Sequence, residues 1–166
     1  MSPGQVHILP PDPATFRTVL GHFATGVAIV TAFDGDEPVG MACNSFTSVS
    51  LDPALVLFCA AKSSTTWPRL RTSGKWTANI LDEDGEEICR LFAEKGADRF
   101  AHIAYTTGRS GSPILRESLA FVDCETIEEH DAGDHVIVVG RVLEMGYASE
   151  GKPLLFYRGG YGRFEI

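Results

Sequence analysis

The sequence predicts a mainly β protein, a closed or partly closed antiparallel barrel of roughly six strands carrying two or three short helices. Three observations lead there. Apolar, β-branched runs recur along the chain and fall into pairs around turn residues, without strict alternation with helices. No G-x-G-x-x-G follows a first strand and no G-x-x-x-x-G-K-[ST] occurs anywhere, so the phosphate loops of parallel nucleotide-binding sheets are missing. The 166 residues suit one domain with a real core, and no internal repeat or composition break marks a second.

The elements follow in order. Residues 1–11 are Pro-rich and predict a flexible leader to a domain spanning 12–166. Asp12-Pro13 reads as an N-cap with Pro at the first helical position. Phe16, Val19, Leu20 and Phe23 follow at helical spacing, and Gly26 is expected to end that helix. Residues 27–33 form a strand, Asp34-Gly35-Asp36 a turn, and residues 39–50 one extended segment. Leu51-Asp52-Pro53 breaks it. Residues 55–61 are nearly all apolar, which predicts a strand buried on both faces. A short helix over 64–71 closes near Gly74, and residues 75–81 make a fourth strand. Ile88, Leu91 and Phe92 mark a helix over 86–95, with Gly96 just past its end. Residues 96–118 read as irregular. Two further strands, 119–129 and 135–147, flank a turn at Asp131-Ala132-Gly133.

Charge and cysteine content exclude several functions. With 22 acidic against 14 basic residues the formal net charge is −8, opposite to a general nucleic-acid footprint and repelled by anionic membranes. No apolar run approaches the ~18 residues of a membrane helix. The start of the chain lacks the basic and apolar regions of a signal peptide, so a cytoplasmic location is expected. Cys43, Cys59, Cys89 and Cys124 form no C-x-x-C pair and predict reduced, buried thiols. The five histidines are scattered, so no metal site is expected.

Three segments bear polar groups where a strand gives way to a break. Asn44-Ser45-Phe46-Thr47-Ser48-Val49-Ser50 is either a solvent-facing alternation or a row of donors on a pocket rim. Ala60-Ala61-Lys62-Ser63-Ser64-Thr65-Thr66-Trp67 sets an ammonium and hydroxyls before a helix, which suits an anion or simple N-capping. In Gly133-Asp134-His135 the imidazole is either structural or placed to orient a substrate amide and move a proton.

Together with Phe23-Ala24-Thr25-Gly26-Val27, Leu51-Asp52-Pro53-Ala54 and Pro153-Leu154-Leu155-Phe156-Tyr157-Arg158-Gly159-Gly160, these segments resemble the flavin reductase components of two-component monooxygenases. Related reductases serve phenol, 4-hydroxyphenylacetate and steroid-ring hydroxylases. The resemblance runs from Phe16 to about Tyr161. It implies a six-stranded antiparallel split β-barrel, Greek key and FMN-binding in type, and a homodimer with flavin near the subunit interface. It further implies NADH or NADPH as electron donor, FAD or FMN as acceptor, and delivery of reduced flavin to a monooxygenase. By residue, it implies flavin contacts from Asn44, Ser45, Phe46, Thr47, Ser48, Val49, Ser50 and Ala60. Phosphate contacts come from Lys62, Ser63, Ser64 and Thr65. His135 lies by the nicotinamide, and Tyr157 and Tyr161 approach the site. No Arg cluster reads as a 2′-phosphate site, which points to NADH. The rival readings are a deazaflavin-dependent reductase or pyridoxamine-phosphate-type oxidase on the same barrel, a flavin carrier or sensor without turnover, and a purely structural dimer.

Overall fold

The computed structural model describes residues 8–96 and 98–165, so most of the expected leader lies outside the described residues. Asp12 caps helix α1 (Pro13–Leu20) as its sequence predicts, its carboxylate accepting from the N–H groups of Ala14 and Thr15 at 3.0 and 3.1 Å. The helix stops at Gly21, well before Gly26. Arg158 N–H donates to Gly21 O at 2.9 Å, so the C-terminal part of the chain docks where another turn would run. Phe23 therefore falls beyond the helix, and α1 buries none of its residues.

Twelve strands follow: β1 (Thr25–Gly26), β2 (Ala28–Asp34), β3 (Glu37–Cys43), β4 (Thr47–Leu51), β5 (Ala54–Ala61), β6 (Lys75–Leu81), β7 (Tyr105–Thr107), β8 (Pro113–Leu115), β9 (Ser118–Ala132), β10 (His135–Tyr147), β11 (Leu154–Tyr157) and β12 (Gly160–Arg163). Helices α2 (Trp67–Arg71) and α3 (Glu86–Ala93) interrupt them. Seven strands form the main antiparallel sheet, in the order β3-β2-β6-β9-β10-β5-β4. The seventh arises because the extended segment expected over 39–50 bends at Asn44-Ser45-Phe46 into β3 and β4, which lie at opposite ends of that order. The sheet thus curls on itself, and one core is built from both ends of it. Val30, Ala32 and Val39 pack with Val56, Phe58, Trp76 and Val138. The Phe58 ring meets Trp67 and Trp76 edge-on, with centroids 5.8 and 4.8 Å away. The mainly β barrel fold is as the sequence predicts.

Two short hairpins depart from the sequence reading. β7 pairs with β8 inside the stretch expected to be irregular, and β11 pairs with β12 and β1 in a small separate sheet. That small sheet and α3 enclose a second core of Val27, Ile29, Leu81, Cys89, Phe92 and Leu154. Two of the cysteines, Cys43 and Cys59, are only half-buried, and all four are free.

β5 alternates in burial although its composition is uniformly apolar. Val56, Phe58 and Ala60 point into the barrel, while Leu55, Leu57, Cys59 and Ala61 stay half-exposed on the outside. Composition shows that a strand is apolar, but a single chain offers it only one core.

A polar layer is sealed inside the sheet. Asn79 donates from Nδ2 to Ile29 O and Thr31 Oγ1, and its Oδ1 accepts from Leu115 N–H at 2.8 Å. Asp123 accepts from the Thr77 hydroxyl and from Ser110 N–H, at 2.7 and 2.6 Å. Each of these buried groups finds a partner, as the cost of leaving one unpaired requires.

Candidate active site

Strand register brings the three polar segments to one corner. β5 pairs antiparallel with β10, so that Ala61 lies opposite His135 and Cys59 opposite Ile137. Lys62 N–H then donates to Asp134 O at 2.9 Å, which fixes the start of the hydroxyl-rich segment against the hairpin. On the other side, Ser45 Oγ accepts from Cys59 N–H at 2.9 Å and ties the β3–β4 corner to the same stretch of β5. Asn44, Ser45 and Phe46 are therefore neighbours of Ala60, Lys62 and His135, though up to 91 positions separate them.

The hairpin that presents His135 is tighter than its sequence suggests. Ala132 pairs with His135, leaving Gly133-Asp134 as a two-residue connection, one position later than the expected turn. Gly133 has a φ of +65°, the backbone that a II′ hairpin turn needs at its first position. A side chain there would be strained, and the imidazole would be displaced with the turn.

His135 is half-buried, with its Nδ1 2.8 Å from Asp134 Oδ1. That hydrogen bond holds the Asp134 carboxyl below the usual carboxylate range, with a smaller contribution from the imidazole's charge and a distant one from Arg17 on α1. The other ring nitrogen, Nε2, has no partner among the described residues. Around it the outer face of β4, β5 and β10 offers Thr47, Ser50, Leu57, Cys59, Ala61 and Ile137, an apolar strip edged by hydroxyls.

The remaining expected residues divide sharply. Lys62 Nζ forms an ion pair with Asp131 at 2.5 Å, so its ammonium already has a carboxylate. Ser64 Oγ accepts from Thr66 and Trp67 N–H at 3.2 and 3.1 Å and so holds the entry to α2, whose N-cap position is Thr66. Asn44, Ser48, Ser50, Ser63 and Thr65 carry polar groups without side-chain partners among the described residues, and Val49 is the extra residue of a bulge in β4. Tyr157 stands exposed at a turn, edge-on to His22 with ring centroids 6.4 Å apart. Tyr161 belongs to the second core: its hydroxyl lies 3.2 Å from Cys89 Sγ, and the Arg90 guanidinium sits 4.9 Å over its ring.

The local sequence pattern missed several groups here. Asp131 holds Lys62, and Thr25 Oγ1 is buried without a partner just before the β2–β3 pairing begins. Thr66 accepts from Arg99, which is 33 positions away, so only the fold reveals it. An open cleft of about 340 Å³ between α2 and the β9–β10 hairpin is lined by Trp67, Arg71, Glu129, His130, Asp131 and Val136. No cluster among the described residues is suited to hold a metal ion.

This donor set fits a flavin and a nicotinamide. A ring system with a polar edge needs amide and hydroxyl partners beside an apolar platform, and an ester phosphate needs hydroxyls and a cation. The corner supplies each, with Asn44 and the hydroxyls of the β3–β4 corner beside the apolar strip and Lys62 as the cation.

Known proteins agree with that chemistry. Residues 20–165 match the family model described as flavin reductase like domain. The reductase subunit HsaB of a flavin-dependent monooxygenase from Rhodococcus jostii is 47% identical over 154 residues, covering 93% of this chain and 79% of that protein. An FMN reductase (NADH), SmoA, from Agrobacterium fabrum is 40% identical, over 91% of this chain and 86% of its own. Among solved structures, an NADH:FAD oxidoreductase from Streptomyces globisporus, in complex with NAD and FAD fragments, superposes with a TM-score of 0.91 at 34% identity, covering 96% of this chain and 98% of that one. The chain belongs to the flavin reductase-like family.

Proposed function

We propose that this protein is an NAD(P)H:flavin oxidoreductase that reduces FAD or FMN and releases the reduced flavin to a partner monooxygenase. The observation that carries the reading is the convergence of the Asn44–Ser50, Ala60–Thr65 and His135 segments on one corner, in a chain 47% identical to a monooxygenase reductase subunit. When bound, the flavin accepts the hydride at its N5, which is chemistry that no side chain here supplies.

The residues bind and position. The Asn44 amide and the hydroxyls of Thr47, Ser48 and Ser50 meet the polar edge of the ring, with Phe46 and Val49 against its apolar surface, while Ala60, which points into the barrel, backs that surface from inside the core. Lys62, Ser63, Ser64 and Thr65 serve the phosphate end. His135 projects its free Nε2 over the platform and orients the nicotinamide carboxamide, fixed by its bond to Asp134. Holding the two rings together supplies most of the rate enhancement. Tyr157, on the exposed turn beside α1, and Tyr161 flank the C-terminal side.

The site is open, and its one lysine is shared with Asp131, which suits a flavin that comes and goes. A homodimer accompanies this reading. The half-exposed outer face of Leu55, Leu57, Ile137 and Val139 is apolar, and a second copy would cover it. No helix among the described residues is long and apolar enough to cross a membrane, and a cytoplasmic location goes with the proposal.

NADH consumption tests the assignment. It should depend on added FAD or FMN and saturate with either. Consumption that ignores added flavin would overturn it, and light scattering that gives the mass of a monomer would remove the dimer.

A further inference from the structure

The cleft between α2 and the β9–β10 hairpin lies on the far side of the His135 strand from the flavin corner. Successive side chains of a strand point to opposite faces. His135 and Ile137 face the outer platform, and Val136 between them turns the other way, into the cleft. Val136 and Trp67, which line the cleft, both pack with the first core, so its apolar wall is the end of the barrel interior. One strand thus separates a ring platform from a cleft of about 340 Å³. The mouth of a barrel is a common place for a small ligand.

The rim of the cleft is shared with the Lys62–Thr65 segment. Asp131 lines the cleft, and its Oδ1 lies 2.5 Å from Lys62 Nζ. Trp67 lines it too, and its N–H donates to Ser64 Oγ at 3.1 Å. A ligand that ends in a phosphate at this segment stops at the rim. One that continues past the phosphate has the cleft before it.

The polar groups of the cleft suit a neutral donor rather than a further anion. The Glu129 carboxylate is held by Arg71, whose Nε and Nη2 meet its two oxygens at 3.0 and 2.9 Å. Each of those oxygens keeps a lone pair. Asp131 Oδ2 has no partner among the described residues. Fixed carboxylates with spare lone pairs accept well from the vicinal hydroxyls of a ribose. The apolar wall beside them suits a flat heterocycle.

We propose that this cleft takes the adenosine half of FAD, with Glu129 accepting from the ribose hydroxyls and the adenine against Trp67 and Val136. Arg71 holds the Glu129 carboxylate in place. The inference rests on the flavin reductase reading and adds to it a preference for FAD over FMN, which ends at its phosphate.

Calorimetric titration of riboflavin, FMN and FAD, without NADH, measures binding apart from turnover. The wild type should bind FAD more tightly than FMN. Glu129→Ala should cut that preference about tenfold, as loss of a charge-assisted hydrogen bond does, with FMN and riboflavin affinities unchanged. Glu129→Gln keeps an acceptor and should retain part of the preference. Excess adenosine should weaken FAD binding by competition and leave FMN binding as it is, a measurement made on the wild type that depends on no variant folding. Equal affinity of the wild type for FAD and FMN overturns the assignment and leaves the reductase reading standing. An unchanged preference in folded Glu129→Ala does the same, as does adenosine that displaces both flavins or neither. A rise in NADH KM in Glu129→Ala with the FAD preference intact also overturns it, and would give the cleft to the dinucleotide. A chain that binds none of the three flavins removes both readings.

Discussion

Two polar clusters sit on the same curled sheet and do opposite things. The inner one joins Asn79 with Thr31 and Asp123 with Thr77, all four sealed from water, and half-buried Ser110 completes Asp123. The outer one, at the corner of β4, β5 and β10, leaves His135 Nε2 and the polar groups of Asn44, Ser63 and Thr65 without partners among the described residues. Their residue types overlap, since both use amides and hydroxyls. What separates them is completion. A polar group that finds its partner inside the chain contributes to architecture, and one held ready without a partner is available to a ligand.

The sharpest way to break this comparison is to damage the inner cluster. Asn79→Ala strands Leu115 N–H and Ile29 O in a buried setting, and should cost about 3 kcal/mol of stability in urea denaturation. Flavin reduction per folded molecule should hardly change. A large loss of turnover in the folded variant would mean that the two clusters are one functional unit.

The converse substitution is His135→Ala. It should slow hydride transfer by roughly one to two orders of magnitude, the range of a positioning or proton-transfer group, with little change in Tm. Unchanged turnover would return the imidazole to a structural role.

Asp131 offers a smaller effect of opposite sign. It competes for the Lys62 ammonium in an exposed ion pair, and such pairs are weak. Asp131→Asn should tighten FMN about threefold and leave riboflavin alone. An unchanged FMN affinity would show that Lys62 does not serve the phosphate.

Tyr161 sharpens the boundary between the regions. Burial, then the Cys89 contact, raises its hydroxyl from 10.0 to about 12, as suits the second core. A raised value means the neutral form is favoured by folding. Its stabilisation is therefore complete below pH 10 and is lost as pH rises from there through about 12. Phenolate absorbance should show one of the four tyrosines ionising late, and Tyr161→Phe should flatten the alkaline loss of stability. Normal titration of all four would put Tyr161 on the open side.

The barrel was legible because β-branched runs and turn residues mark its strands directly. The N-cap of α1 was legible for the same reason, since Asp12 acts on atoms two and three residues away. The corner at Asn44 was not, because no Gly or Pro interrupts residues 41–50 while the chain changes edge. β11 and β12 are four residues each, and β12 is half glycine, too short and too bare to show a period. The site was half legible. Each polar segment could be read as a strand ending, but their meeting depends on the β5–β10 register. The Arg99 cluster could not be found locally, because two of its three partners, Gly40 and Thr66, lie 59 and 33 positions away.

Anaerobic mixing of the protein with NADH and a large excess of free flavin tests the central claim most directly. The account predicts rapid bleaching that continues through many equivalents of flavin per protein, because the open corner loads and releases it repeatedly. Bleaching that stops after one equivalent, or never begins although flavin is bound, would contradict it.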